Sequence, residues 1–131
     1  MMSPYQAYQD TAAQTASSAQ LVLMLFDGAL VRVEVAIEAL QQVPANLDVA
    51  HTAITRVQAI VDELAVSLDR ERGGAMAANL GSIYAYVSEL LIAANVGKTI
   101  PPLEEAHAHL KDLSEAWDAA CVKTPVTAVA G

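Results

Sequence analysis

Apolar positions recur along this chain with the three- and four-residue spacing of an α-helix in four separate stretches. The first stretch begins after a Ser cap at Ser17 or Ser18 and ends near Gln42. The third covers about 75–95. The second stretch has apolar residues at Leu47, Ala50, Ile54, Val57, Ile60 or Val61, Leu64 and Leu68. The fourth has them at Leu103, Ala106, Leu110, Leu113, Trp117 and Ala120. The pattern predicts four helices.

The segments between these stretches are short and contain residues that end helices. Pro44 and Asn46 separate the first two, Gly73 and Gly74 the next two, and the pair at 101–102 opens the last. Short connections favour antiparallel neighbours. We therefore predict an all-α fold: an antiparallel up-down four-helix bundle over 17–121, preceded by a flexible N-terminal arm (1–16) and followed by a short disordered C-terminal tail (122–131).

The four predicted helices are unequal in their apolar surface. The second and fourth each have one apolar stripe, whereas the first has only a narrow polar set and Glu89 is the only charge of the third. A helix that is apolar all round must be covered all round, and three neighbours in a bundle cover only part of it. The apolar surface left uncovered on the first and third helices predicts a binding groove. The groove would be filled by the N-terminal arm, a second copy of the chain or a foreign helix.

Composition narrows the classes of partner. The chain has 131 residues, is 54% apolar and has a net charge of −8 with seven Lys and Arg, so we expect no nucleic-acid binding. Polar residues interrupt the most apolar stretch, between Gly74 and Gly97, so we expect no membrane insertion. The N-terminus has no secretory signal pattern, and the single Cys121 suits a reducing compartment. A cytoplasmic protein is expected.

Several strings, in order along the chain, resemble one known family. SPYQAYQ at 3–9 is similar to its NPY-x-AYQ opening, and TASSAQLVLMLFDGAL at 15–30 to its TASPxxLxxMLYDGA run. Further on, ANL at 78–80 with Ile83, Tyr84 and Tyr86 is similar to ANL-x-x-LY-x-Y, and AN at 94–95 and EAW at 115–117 complete the series. Ser18, Phe26 and Ala85 depart from the usual proline, tyrosine and acidic residue. The ordered set resembles the flagellar export chaperones (FliS-type) over about 3–117.

The resemblance implies a four-helix bundle that binds the C-terminal segment of flagellin. That segment is disordered in the flagellin monomer and helical in the filament. The chaperone would hold it in the cytoplasm, block premature polymerisation and present it to the flagellar export gate. The resemblance implies no cofactor and no ATP hydrolysis, and the apolar groove predicted from the helices suits such a helix-in-groove interaction.

Candidate partner-binding residues come from the arm and from the two apolar helices, and several of them would serve equally well as ordinary core. Tyr84 and Tyr86 are about 200° apart on a helix, so one is expected to face the core and the other a partner. The arm is expected to cover the groove until flagellin displaces it. The candidates are Tyr5, Tyr8, Leu21, Leu25, Phe26, Asn79, Leu80, Ile83, Tyr84, Tyr86, Val87 and Leu91.

Two alternatives remain open. A non-catalytic helical adaptor or homodimer could bury its own excess apolar surface, through the groove or the arm. A four-helix metal-binding protein is disfavoured, because Glu104-x-x-His107 and Asp48-x-x-His51 lie in first helical turns, where acids serve the helix dipole. No nucleophile elbow and no phosphate loop occurs, so no enzyme is predicted.

Overall fold

The computed structural model describes residues 17–71 and 75–122, and these form four α-helices without a strand. They are α1 (Ser18–Gln41), α2 (Leu47–Glu71), α3 (Ala75–Gly97) and α4 (Pro101–Trp117), and a π-helical turn, Asp118–Val122, continues α4. The predicted arm, with Tyr5 and Tyr8, and residues 123–131 of the predicted tail lie outside the described residues.

The helix ends follow the residues that the sequence places there. Ser17 caps α1 through a capping box, in which its hydroxyl accepts from the Gln20 amide at 3.1 Å while the Gln20 side chain accepts from the Ser17 amide at 2.9 Å. Asn46 Oδ1 accepts from the Val49 amide at 3.2 Å and so caps α2. Pro101 opens α4, a position that needs no amide hydrogen.

The carboxyl end of α3 is closed by a residue that the sequence did not single out. Lys98, not Gly97, adopts the left-handed conformation, with φ of 50°. The Thr99 amide then donates to the Ala94 carbonyl at 3.3 Å, which closes the last turn as in a Schellman motif. Lys98 Nζ donates to both the backbone and the side-chain oxygen of Asn95 at 2.6 Å, so its ammonium group also satisfies a terminal carbonyl.

The helices pack as a closed ring of neighbours: α1 lies against α2 and α4, and α3 lies against the same two helices. Each helix is therefore antiparallel to the two beside it, which confirms the predicted up-down bundle. One apolar core runs through all four helices, and its largest fully buried side chains are Phe26, Ile54, Leu64, Leu91, Leu103, Leu110, Val33, Val57, Val61 and Val87.

The predicted stripes are wrong at two residues, Leu47 and Ala120. Leu47, the first residue of α2, is half exposed, so the buried stripe begins at Ala50. In α4, Leu113 and Trp117 are half-buried and pack against the core as predicted, and Ser114 beside Leu113 is buried as well. Ala120 lies in the π-helical turn and is exposed.

Residues Ala78–Gly97 of α3 are, within the described ranges, the one helical segment long and apolar enough to suit a membrane span. Core helices of soluble proteins meet the same criterion. This segment buries Tyr84, Val87, Leu91 and Ala94 in the core shared with the other helices. Its apolar inner side is therefore accounted for by the bundle.

Candidate partner-binding surface

Four of the sequence-predicted binding residues form part of the core. Phe26 of α1 and Tyr84, Val87 and Leu91 of α3 have exposed fractions of 5% or less. Their side chains are not accessible to a partner while the four helices are packed together. Direct contact with a partner would require the helices to separate.

The tyrosine pair of α3 divides between core and surface, as the helical angle predicts. Tyr84 is buried and Tyr86 is 43% exposed. The Tyr86 hydroxyl donates to Glu105 Oε2 on α4, and its ring meets that of His109 edge-on with centroids 5.5 Å apart. Tyr86 is therefore an aromatic group held in place at the boundary between α3 and α4.

The surroundings of both tyrosines raise the pKa of their hydroxyl groups. The hydrogen bond to Glu105, together with partial desolvation and the negative charges of Glu105 and Glu89, raises the pKa of Tyr86. Burial raises the pKa of Tyr84. Both side chains therefore stay neutral hydrogen-bond donors throughout the physiological range.

The other predicted residues in the described ranges lie between core and solvent. Leu21 and Asn79 are exposed, at the amino ends of α1 and α3. Leu25, Leu80 and Ile83 are half-buried and pack against the edge of the core. In an up-down bundle the amino ends of the first and third helices lie at the same end of the molecule, so these five residues share one end of the bundle.

An exposed apolar stripe runs along α1; we call it the α1 seam, and it consists of Leu21, Met24, Gly28, Val31 and Val35. Its members follow one another at intervals of three, four, three and four residues, the spacing with which one helix packs on another. The four side chains are 39–55% exposed. The core residues of α1 occupy a different side of the helix, so α1 has two apolar faces. Met24, Val31 and Val35 were missing from the predicted set, although their spacing was readable.

A groove between α1 and α2 continues the α1 seam at Val35. It encloses about 380 Å³ and is lined by Arg32, Val35, Asp48, Val49, Thr52, Ala53 and Arg56. Val49 is 41% exposed and provides an apolar wall on α2. Gly28 lies one helical turn before Arg32. A Cβ added to it would lie 3.7 Å from Ile60 Cδ1 of α2, so this turn of α1 also lies close to α2.

The outward face of α3 is apolar as well, whereas that of α4 is charged. On α3, Ile92 is 55% and Val96 83% exposed, and Ala78 and Ala85 are exposed beside them. On α4 the exposed positions include Glu104, Glu105, Lys111, Asp112 and Glu115. α1 and α3 therefore carry apolar side chains that their neighbours do not cover, and α2 has some too, at Leu47, Val49 and Val66.

The histidines of the two Glu/Asp-x-x-His motifs have partners on other helices. His107 Nε2 lies 2.9 Å from Glu34 Oε2 of α1, and His51 Nδ1 lies 3.1 Å from Asn95 Oδ1 of α3. Glu104 is exposed on the outward face of α4. Across residues 17–71 and 75–122, no three His, Cys, Asp or Glu side chains come together as a metal site would require.

Comparison with known proteins decides the family. A sequence model described as "Flagellar protein FliS" matches residues 1–124. The chain belongs to the FliS family. It is 34% identical over 112 residues to the flagellar secretion chaperone FliS of Salmonella typhimurium, covering 82% of this chain and 79% of that protein. It is 28% identical over 117 residues to FliS of Bacillus subtilis, covering 89% and 85% of the two chains.

A third relative is the flagellar secretion chaperone FliSB of Pseudomonas aeruginosa, 33% identical over 101 residues that cover 76% of this chain and 77% of that protein. The FliS match takes in the segments on which the sequence resemblance was recognised, from the SPYQAYQ opening to the Glu-Ala-Trp run at the end of α4. The sequence-based assignment to this family is therefore confirmed.

Proposed function

We propose that this chain is a cytoplasmic, non-catalytic chaperone for flagellin, which binds the C-terminal segment of flagellin as a helix on the α1 seam. By covering that segment it prevents premature polymerisation and keeps the flagellin monomer deliverable to the flagellar export gate. Membership of the FliS family, whose relatives are named flagellar secretion chaperones, supports the class of function. The α1 seam is the observation that supports the binding mode.

The geometry of the α1 seam suits a helical partner. Its side chains repeat every three and four residues along one side of α1, so an amphipathic helix can place its own apolar residues between them. Gly28 at the middle of the seam adds no side chain of its own, and the Arg32 guanidinium lies beside it. The acidic residues Asp27 and Glu34 are exposed nearby and keep this surface hydrated while no partner is bound.

The size of the seam limits what it can contribute alone. Fully burying a Leu, Met or Val side chain contributes about 1.5–3 kcal/mol, so covering the remaining half of four such side chains contributes roughly 3–6 kcal/mol. A micromolar complex needs a net free energy of about 8 kcal/mol after the ordering of the segment has cost about 2–5 kcal/mol. The bound segment must therefore extend beyond the seam, onto the α1–α2 groove or the outward face of α3.

The binding experiment is calorimetric titration of the chain with a peptide of the flagellin C-terminal segment. Val31→Glu places a charge in the middle of the α1 seam and is expected to weaken binding at least about tenfold, because a carboxylate buried without a partner is strongly disfavoured. Val43→Glu is the matched control, since Val43 lies in the loop before α2 and is 96% exposed. Equal affinities of the two variants would contradict binding at the seam.

The N-terminal arm has a part in the same proposal. Residues 1–16 end next to the first turn of α1, where the seam begins at Leu21, and Tyr5 and Tyr8 supply aromatic side chains of a size suited to it. We expect the arm to compete with flagellin for this surface. Deleting residues 2–16 should change either flagellin affinity or self-association, and a variant unchanged in both properties would remove the arm from the account.

A homodimer is the second candidate, and the spacing of the α1 seam favours it as well, because two copies of one seam can pack on each other. Sedimentation equilibrium separates the two functions. A chain that is monomeric at micromolar concentration and binds the flagellin peptide fits the chaperone. A tight dimer that does not bind the peptide fits the adaptor.

A further inference from the structure

Two arginines, one from each helix, line the groove between α1 and α2. Arg32 belongs to α1 and Arg56 to α2, and both line the opening of about 380 Å³ together with Val35 and Val49. The chain as a whole has a net charge of −8. The groove therefore has two positively charged groups beside exposed valines, although the chain as a whole is negatively charged.

Neither arginine is neutralised by an ion pair within residues 17–71 and 75–122. The ion pairs found there join His107 to Glu34 and His109 to Glu105. Asp48 lines the same groove but is not within ion-pair distance of a guanidinium, and it lies in the first turn of α2, where a carboxylate stabilises the helix dipole. Two guanidinium groups and one carboxylate leave the groove with one net positive charge.

The guanidinium of Arg32 is held in place by the backbone. Its Nη1 donates to the Gly28 carbonyl oxygen at 3.2 Å, and an added Cβ on Gly28 would lie 3.5 Å from the same atom. The group thus lies over α1 where the seam has no side chain. Arginine has five N–H donors, and one bond to Gly28 leaves donors for a ligand. A guanidinium already fixed loses little conformational entropy on binding.

We propose that this groove recognises a side-chain carboxylate, Asp or Glu, of the segment that the chain binds. The inference rests on the proposed function and adds the chemistry of the ligand: apolar residues against the α1 seam and Val49, and an acidic residue against Arg32 and Arg56. Because the groove continues the seam at Val35, a helix lying along the seam passes the two arginines and meets them with a side chain.

The two parts of the surface then have different tasks. The apolar seam supplies non-directional affinity for any amphipathic helix. The arginine pair selects the register and direction of the bound helix, because only one placement brings its acidic residue to the groove. The rest of the chain carries a net negative charge, so on average it attracts a carboxylate of the ligand less than the groove does.

Calorimetry with the flagellin C-terminal peptide tests this site. Arg32→Met combined with Arg56→Met keeps much of the aliphatic volume and removes both charges, and we expect affinity to fall about tenfold or more and its dependence on salt to weaken. Arg32→Lys combined with Arg56→Lys should keep the salt dependence. Lys111→Met, on the outward face of α4, is the matched control and should bind like the unaltered chain.

Changes in the peptide test the site without altering the fold of the chaperone. A peptide with Asp and Glu replaced by Asn and Gln should bind the unaltered chain about tenfold more weakly and bind the double Met variant no worse than the natural peptide does. A peptide amidated at its terminus should bind normally. If amidation alone weakens binding, the terminal carboxylate is the ligand group and the side-chain assignment is wrong.

These experiments distinguish failure of the carboxylate site from failure of the proposed function. If the unaltered chain binds the natural peptide but the double Met variant binds it equally well at all salt concentrations, the carboxylate site is wrong and the proposed function stands. If the unaltered chain does not bind the natural peptide at any salt concentration, the proposed function is wrong and the inference that rests on it falls too.

Discussion

The indole Nε1 of Trp117 donates a hydrogen bond to the backbone carbonyl oxygen of Ala19 at 2.8 Å. The bond joins the last residue of α4 to the first turn of α1, residues that are 98 positions apart. It closes the ring of helices at the end of the bundle where the α1 seam begins. The position of Leu21 at that end therefore depends on α4 as well as on α1.

Replacing Trp117 with Phe tests this closure. The variant keeps an aromatic ring but loses the donor, so we expect the free energy of unfolding to fall by about 0.5–1.5 kcal/mol. Urea unfolding measures the change. Glu34→Gln, which alters the exposed pair with His107, is the control and should cost less than about 1 kcal/mol. A Trp117→Phe chain as stable as the unaltered one would show that the bond adds nothing.

The division of the predicted binding residues between core and surface gives a second prediction. Phe26 is 1% exposed, and Phe26→Ala should destabilise the chain by about 3–5 kcal/mol because it leaves a cavity. Leu21 is 39% exposed, and Leu21→Ala should cost much less stability while weakening peptide binding. Urea unfolding and calorimetry on both variants separate the two roles. A stable Phe26→Ala chain with impaired binding would place Phe26 in the binding surface instead.

Gly28 in the interior of α1 and Gly81 in the interior of α3 give a third prediction, because their surroundings differ. At Gly81 an added Cβ meets nothing within 4 Å, so Gly81→Ala should raise the free energy of unfolding by up to about 1 kcal/mol through helix propensity. At Gly28 the nearest atoms would be 3.5 and 3.7 Å away, an ordinary contact, so Gly28→Ala should also fold stably.

The glycine variants should differ in binding. Gly28→Ala adds a methyl group at the centre of the α1 seam and is expected to weaken flagellin-peptide affinity even though the free chain is no less stable. Gly81→Ala serves as its control. If Gly28→Ala binds the peptide at least as tightly as the unaltered chain, the partner helix does not approach α1 at that turn.

Alkaline pH gives a fourth prediction. Burial raises the pKa of Tyr84 in the folded chain above its value of about 10 in the unfolded chain. The folded state therefore keeps the proton more tightly, and stability that is fully present below pH ~10 is lost as the pH rises through the folded pKa. Urea unfolding at increasing pH should show this loss, and Tyr84→Phe should reduce it. An equal loss in that variant would assign the alkaline effect to other groups.

The starts of α1, α2 and α4 could be predicted because each is marked in the sequence. Ser17, Asn46 and the proline pair at 101–102 fix where α1, α2 and α4 begin by local hydrogen bonding and backbone restriction, which do not depend on the rest of the fold. The end of α3 was less predictable, since Lys98 and not a glycine takes the left-handed conformation.

The exposed apolar surface could be predicted only in part, because α1 carries two apolar faces. Periodicity alone does not say which face is turned inward, and the answer depends on where α2 and α4 lie against α1. Phe26 therefore entered the predicted set although it is core, and Val31 was left out although it is exposed. For Tyr84 and Tyr86 the sequence gives opposite faces, and the packing of α3 decides which one is exposed.

Site-specific photo-crosslinking tests the central claim, that the partner lies along the α1 seam, most directly. A photoreactive side chain is introduced at Val31, and separately at Ala108 on the outward face of α4, in chains that bind the flagellin C-terminal peptide. The account predicts crosslinks to the peptide from position 31 and none from position 108. Crosslinks from position 108 without any from position 31 would contradict it.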